Sequence, residues 1–446
     1  MKSFFILIIF GVLNFISWNI YGSFFILNIS LIFYFLEVQK DKSIYVKSLL
    51  CFVLLLIFNL TSVFWLFKVD GYKSIMIFIA NSLLYLPIYI VYFLLNSKLK
   101  SLWFIVFYIS FDIIYSLWDL AFPWLNFGNV FGNQWYLVNW YSITGTYGGS
   151  LWLFIMGWCF YNIITNRSRR TFIVFFSLGL FLPIFSLFQY LTNSYETTEN
   201  EIINVIAYNP IEKSSTYNST KEMYSVIRSI PNIDFVVTHE LFYRGLHPSQ
   251  LKQGVYVNYF DFYHQINPNT KFVIGTELFN NREIRFNGVA AVLNKQTLFR
   301  TKKKYVPITE YTPFLLRGWF SNYYQKNNKD DESKIIKSLE VFPLVCYESI
   351  FSSFVARKSL NANALFLLTS ERFMNGSDFG KTQYLNIVRL RAIENNKSIL
   401  KVSDDGISCL ILPNGEIESY LTDEVEQIEL QLFKSQSMYS KLINSL

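Results

Sequence analysis

Residues 342–354 read FPLVCYESIFSSF. The apolar run Phe342 to Val345 has the character of a buried strand, and an amphipathic stretch follows Glu348. Cys346 therefore stands where a strand gives way to a helix, with a carboxylate two residues later. A structural core cysteine needs no acid beside it. A nucleophilic thiol at such a junction gains from the helix dipole and from a neighbouring acid. Strand, reactive residue, helix is also the unit from which layered α/β domains are built.

The same alternation extends on both sides. Strand-like runs fall at 202–207, 233–238, 271–276, 287–293, 341–346, 363–369, 398–402 and 407–412. Helical periodicity falls at about 219–230, 348–358 and 380–396. Strands that are apolar throughout belong in sheets covered by helices, so an α/β or α+β layered domain is expected. No GxGxxG or P-loop pattern occurs, so nucleotide binding has no support.

Upstream of about residue 193 the composition changes. The 446-residue chain is 52% hydrophobic, 19% aromatic and only 16% charged, whereas a soluble domain is about one quarter charged. The excess is concentrated in residues 1–192. Seven apolar runs there approach the roughly 17–25 residues a bilayer crossing needs: about 3–18, 21–37, 46–68, 74–96, 101–118, 149–165 and 171–192. No small-residue cleavage pattern follows the first, which reads as an anchor. Lys40, Lys42, Lys47, Lys98, Lys100, Arg167, Arg169 and Arg170 occupy alternate loops. The positive-inside bias then puts the N-terminus and these loops in the cytoplasm and everything after about 193 on the far side. One outer loop, 119–149, has no Lys or Arg and is rich in Trp, Tyr, Phe and Gly. It suits the headgroup layer, as a lipid access route or a plain aromatic belt.

Four cysteines occur, Cys51, Cys159, Cys346 and Cys409, with no CxxC pair and only three histidines. No structural zinc site is expected, and no metal or organic cofactor. A Cys346–Cys409 disulfide and a free nucleophile both remain open. The net charge of +7 is dispersed, with no basic face for nucleic acid.

Three polar residues close strand-like runs: Glu240 after IDFVVTH, Lys302 after TLFRT, and Cys346 after VFPLV. A rigid sheet can aim such residues at one crevice. A carboxylate, an amine and a thiol form a self-consistent set. The carboxylate takes the thiol proton, and the ammonium stabilises the thiolate and the oxyanion formed on an attacked carbonyl.

PLVCYESIF (343–351) resembles the nucleophile segment of the nitrilase, or carbon–nitrogen hydrolase, superfamily, and more closely that of bacterial apolipoprotein N-acyltransferases. AFPWLNFGN (121–129) and TGTYGGSLW (144–152) resemble that family's aromatic loop and the start of its next span. KKKYVPITEYTPF (302–314) resembles its lysine-bearing segment, and residues 384–418 its helix, strand and Gly-containing C-terminal segment. The resemblance implies an α-helical transmembrane bundle of about seven spans (1–192), then a nitrilase-like αββα sandwich (193–425). It implies Glu240 as general base, Lys302 as oxyanion and thiolate stabiliser, and Cys346 as nucleophile. Lys302 is chosen because it stands five residues before Pro307. Glu310 is expected to position Lys302 or the base, Glu348 to order the pocket, and the Tyr347 backbone N–H to help hold the oxyanion.

The implied reaction is ping-pong acyl transfer from a phospholipid, through a Cys346 thioester, to the α-amine of a diacylglyceryl-cysteine at an apolipoprotein N-terminus. A multi-pass monomer of the bacterial cytoplasmic (inner) membrane is implied, with the α/β domain on the periplasmic side. Departures from the family pattern lie at the pocket walls: THE before the base, KKKY and ITE around Lys302, and TSERFMNGSDFG (369–380) in the lid. They keep two alternatives in view: an amidase or acyltransferase of the same fold acting on another amine, and a catalytically silent envelope scaffold. After about 421 no apolar run near 17 residues follows. Residues 426–446 are therefore expected to form a polar or amphipathic tail on the membrane surface, with anchoring by the N-terminal half.

Overall fold

A computed structural model describes residues 2–445 apart from 119, 193–200, 211–215, 254, 281–283, 295, 308, 313–322 and 326–329. The chain divides into two compact units, residues 1–193 with 373–390 and residues 194–372 with 391–446. The expected boundary at 192/193 adjoins 193–200, outside the described residues.

The first unit is helical: α1 (Lys2–Asn19), α2 (Phe25–Val38), α3 (Ile44–Ser62), α4 (Leu66–Asp70), α5 (Ser74–Leu94), α6 (Lys100–Tyr115), α7 (Tyr141–Asn166) and α8 (Arg169–Thr192). Helices stand at all seven expected places. Among the described residues five stretches are long and apolar enough to cross a membrane, 2–19, 44–62, 66–94, 141–166 and 169–192. Helices α2 and α6 have 14 and 16 residues, short of the roughly 20 of a typical span.

Polar side chains inside this unit bond to one another. The Asn14 amide donates to Phe58 O, Thr61 Oγ1 and Ser62 Oγ. The Asn81 amide donates to Asn59 Oδ1. Asp112 accepts from the Tyr85 hydroxyl at 2.6 Å and the Asn126 amide at 2.5 Å. In apolar surroundings such bonds fix which helix faces meet.

Asn126 belongs to the aromatic loop, and the loop departs from expectation. It folds into short 3₁₀ turns at Pro123–Leu125 and Phe127–Leu137. Trp124, Phe127, Val130 and Phe131 are buried. The loop therefore packs within the helical unit, with these rings buried against protein; Asp119, its first residue, is outside the described residues. Polar anchors account for this: Gly128 N donates to Ser150 Oγ and Asn126 Oδ1. Helix α7 accordingly starts at Tyr141 rather than 149, with a break at Gly145, whose φ of +65° favours glycine.

The second unit contains β1 (Ile202–Tyr208), α9 (Thr216–Ile227), β2 (Phe235–Thr238), β3 (Tyr243–Leu246), α10 (Val255–Ile266), β4 (Lys271–Phe279), β5 (Arg285–Leu293), β6 (Gln296–Thr301), α11 (Glu332–Leu339), β7 (Val341–Val345), α12 (Ser352–Ser359), β8 (Ala364–Ser370), β9 (Ile399–Asp404), β10 (Ser408–Ile411), β11 (Ile417–Leu421), β12 (Val425–Gln431) and α14 (Met438–Ser445). Helix α13 (Asp378–Asn395) begins in the first unit and ends in this one.

One sheet has the order β12-β1-β2-β4-β5-β6, with β3 on β4; the other runs β11-β10-β9-β8-β7. Alternation along each strand sends side chains to opposite faces. Ile206, Val236, Phe272 and Ile274 pack beneath Met223 and Ile227 of α9 and Phe260 and Tyr263 of α10. Phe235 turns the other way and meets Phe366 of β8 edge-on at 5.2 Å. The two sheets thus face each other. Beside the second, α12, the end of α13 and α14 are laced by Ser352 to Glu394, Ser359 to Asn395 and Ser440 to Asn395. This is the helix-covered double sheet that was expected.

The C-terminal segment differs from expectation. Residues 425–431 form an antiparallel strand along the whole of β1. The QIELQ part of VEQIELQ alternates polar and apolar, so Ile428 and Leu430 are buried while Gln427 and Glu429 stay wet. The α14 residue Tyr439 is buried, its hydroxyl 2.6 Å from Ser352 Oγ. The region is an edge strand and a docked helix, not a surface tail.

Within the first unit, the α13 side chain Gln383 occupies a hub. Its Oε1 accepts from the indole N–H groups of Trp65 and Trp124, both at 3.0 Å. Its Nε2 donates to Asn19 Oδ1 and Ser62 O. Tyr384 stacks on Trp124, and Phe379 meets Phe15 and Phe64.

Candidate functional site

Cys346 ends β7 and has a left-handed backbone, φ +42°. For a residue with a side chain that conformation costs about 1–2 kcal/mol. Glu348 braces it. Its carboxylate folds back to accept from Val345 N at 2.9 Å and Lys303 N at 2.6 Å. It also takes a bidentate pair from Arg300 at 2.8 and 2.9 Å. Arg300 is fully buried, stacks over Phe342 and pairs with Glu332. The cysteine is thereby held at the strand end, and the sulfur is free of disulfide.

Glu240 follows β2, and Leu241 after it has φ +56°. A Cβ at Gly275 would lie 2.1 Å from His239 O and 2.7 Å from Glu240 Cα, so only glycine lets β4 approach this turn. Glu240 Oε1 accepts from Lys302 Nζ at 2.9 Å and the Asn287 amide at 2.7 Å; Oε2 accepts from Ser370 N at 3.1 Å. Lys302 Nζ also donates to Glu310 Oε1 at 2.8 Å, and Val306 N donates to Glu310 Oε2.

The end of β8 joins the acid to the sulfur. Thr369 Oγ1 lies 3.8 Å from Cys346 Sγ, and Thr369 O accepts from Glu240 N.

Cys346, Glu240 and Lys302 are buried and Glu310 is half-buried, so charge matters. Burial pushes the Cys346 thiol well up, and the Glu240 carboxylate adds to that, while Lys302 and the Thr369 contact pull the other way. Burial disfavours the Lys302 ammonium, but Glu240 and Glu310 outweigh it and hold Lys302 charged. Glu310 is raised above the usual carboxylate range, first by burial and then by Glu240, against the pull of Lys302. The resting arrangement is therefore a neutral thiol beside an ion-paired carboxylate and ammonium. Such a set suits proton removal from sulfur during attack on a carbonyl.

Glu240, Lys302 and Glu310 are brought into direct contact, with Cys346 beside them. Glu348 touches Arg300 and backbone amides, so it braces the turn. Tyr347 is buried, its ring 5.4 Å from that of Phe351. Sequence reading missed Asn287, Arg300, Thr369 and Ser370. Thr369 and Ser370 close the apolar run of β8 and carried the same strand-end signal as Cys346. Arg300 sits inside a strand, where only the pairing with Glu348 reveals its use. Among the described residues no group of three or more His, Cys, Asp or Glu is arranged to hold a metal.

Residues 10–159 match the family model described as the apolipoprotein N-acyltransferase N-terminal domain. Curated relatives include the apolipoprotein N-acyltransferases of Wigglesworthia glossinidia brevipalpis, 38% identical over 22% of this chain and 19% of that protein, and of Rickettsia typhi, 23% identical over 69% of this chain and 65% of that protein. The matches thus span from about a fifth to just under two thirds of these relatives' lengths. Solved structures with some likeness include a carbon–nitrogen hydrolase from Helicobacter pylori, with 12% identity, 55% of this chain, 92% of that chain and a TM-score of 0.38. A nitrilase-superfamily amidase from Nesterenkonia gives 14%, 54%, 93% and 0.37. The resemblance to apolipoprotein N-acyltransferases read from the sequence motifs is thus met by the family model and the curated relatives.

Proposed function

We propose that this chain is a membrane acyltransferase that moves a fatty acyl group from a phospholipid to the α-amine of a diacylglyceryl-cysteine on an apolipoprotein. The observation that carries the reading is Lys302 Nζ, bound at once to Glu240 and Glu310 beside a cysteine in a braced left-handed turn.

In the first half-reaction Glu240 takes the thiol proton as sulfur attacks the ester carbonyl. The developing oxyanion is held by the Lys302 ammonium and the Tyr347 backbone N–H. Collapse breaks the C–O bond, and Glu240 returns the proton to the leaving alkoxide of the lysophospholipid. The acyl group is left as a thioester on Cys346. In the second half-reaction the acceptor amine attacks the thioester and Glu240 takes the amine proton; collapse breaks the C–S bond, and Glu240 returns that proton to the leaving sulfur, which regenerates the thiol and leaves the acyl group as an amide. Glu310 positions Lys302, and Glu348 with Arg300 holds the cysteine turn. A thioester is activated toward amines, and a dry pocket limits loss to water. Two acyl-bearing substrates that stay in the bilayer give the α/β unit its reason to share a chain with a bundle of apolar helices. In this reading the protein is a monomer in the bacterial inner membrane with the α/β unit on the periplasmic side.

The test is incubation of the purified protein with phospholipid vesicles, followed by intact mass. An acyl adduct on Cys346 that a diacylated lipopeptide discharges is expected. Discharge only by another amine assigns a different acceptor. No adduct, with Cys346→Ala behaving as wild type in cells, makes the chain a silent scaffold and ends this proposal.

A further inference from the structure

Behind the site lies a second buried ion pair that the proposed chemistry does not use. Lys401 Nζ of β9 bonds to Glu371 Oε1, and both side chains have no exposure to solvent. The ammonium also bonds to Ile407 O, and Ser403 Oγ donates to the same carboxylate oxygen at 2.9 Å. A Cβ at Gly406 would lie 2.4 Å from Glu371 Cδ and 2.2 Å from Ser403 Oγ. Backbone is thus packed directly onto the pair, with no room for it to shift.

The position of this pair is what gives it meaning. Four successive residues at the end of β8 are all tied down, and Glu371 N and Ser370 Oγ also bond to Asp404. Thr369 reaches the Cys346 sulfur, Ser370 N holds Glu240 Oε2, Glu371 is tied to Lys401, and Arg372 is paired with Asp404. β8 and β9 are parallel neighbours, with Thr369 opposite Ser403 and Ser370 opposite Asp404. Beyond Arg372 the chain leaves for the helical unit. A strand end would normally fray there. Fraying by one residue would carry Thr369 away from the sulfur and Ser370 N away from the acid.

We infer that Lys401 and Glu371 are positioning residues: they lock the end of β8 so that one short peptide holds both the nucleophile Cys346 and the base Glu240. This rests on the reading of Cys346 and Glu240 as the reacting pair.

The test uses full-length protein in detergent and iodoacetamide, with alkylation of each cysteine followed by peptide mass against pH. Breaking a buried pair from one side leaves a stranded charge and can unfold the protein, whereas replacing both partners by neutral residues of similar shape is often tolerated. The double variant Glu371→Gln with Lys401→Met is therefore compared with wild type and with Lys401→Arg, which keeps the charge pair. Cys409, buried in β10, reports loss of the fold in the same sample. The expected result is Cys346 alkylation slowed about tenfold and moved to higher pH in the double variant, with Cys409 still protected and Lys401→Arg close to wild type. Cys346 alkylation within about twofold of wild type while Cys409 stays protected overturns the proposal. So does a gain in Cys409 reactivity in the double variant at conditions where wild type is protected, because the pair would then hold the sheet rather than the site. A parallel Glu240→Gln sample separates the two readings. If that variant leaves the Cys346 profile unchanged, the assignment of the reacting pair has failed. If it moves the profile and the double variant does not, only the positioning role has failed.

Discussion

At the scale of single residues, the site is an argument about where two charges stand relative to one sulfur. Glu240 raises the thiol and Lys302 lowers it. The sign of two variants follows. Glu240→Gln removes the negative neighbour, so the iodoacetamide profile of Cys346 should move to lower pH even as acyl adduct formation falls by about 100-fold or more for want of a base. Lys302→Met removes the positive neighbour, and the same profile should move to higher pH. Peptide mass against pH reads both, and movement in the same direction for the two variants would refute the charge arrangement. Of these residues, Cys346, Glu240 and Lys302 were legible because each closes an apolar strand, and Glu310 and Glu348 through the family resemblance. Asn287 was not. It opens the run NGVAAVL and reads as a turn residue until β5 pairs with β4 and its amide reaches Glu240.

At the scale of elements, two anchors set the geometry. The Arg300–Glu348 pair connects β6 to the turn after β7, and it is buried. Arg300→Met strands the Glu348 carboxylate, which should cost about 3–5 kcal/mol. A large fall in the thermal midpoint in detergent is the expected outcome, with Cys346 alkylation reporting the loosened turn. The second anchor is Gln383 on α13. Gln383→Leu deprives the Trp65 and Trp124 indoles of their acceptor at a cost of about 1–3 kcal/mol for each donor. Tryptophan fluorescence during thermal unfolding should register it as an earlier transition. The strands of the two sheet cores were readable because residues buried on both faces give unbroken apolar runs. β11 and β12 were not so read, since each has a wet face and hence a mixed composition. The period-two alternation in QIELQ (427–431) was the available signal. The burial of the aromatic loop against protein was not legible for a related reason. Composition shows that rings avoid water, but whether they meet lipid or protein depends on Asp112 and Ser150, which are distant in sequence.

At the scale of the whole molecule, the helical unit is not an N-terminal module that can be cut away. Residues 373–390 belong to it, although they leave and re-enter the α/β unit between β8 and β9. A protein truncated at about residue 192 therefore lacks Gln383 and should be extracted from membranes in an unstable form, read by its aggregation in mild detergent. Sidedness rests on the loop charges. Reporter fusions placed after Thr192 should be active on the periplasmic side and those placed after Lys42 on the cytoplasmic side; the reverse pattern would invert the proposed orientation.

Ile202 is hydrogen-bonded in register with Gln431. The first strand of the α/β unit thus waits for a stretch far downstream in the chain before its outer edge is covered, and pairing so distant in sequence closes slowly. During that interval the nascent chain carries an open, β-competent edge. A premature stop codon just before residue 425 would make that transient exposure permanent, leaving an uncovered edge open to pairing with another chain.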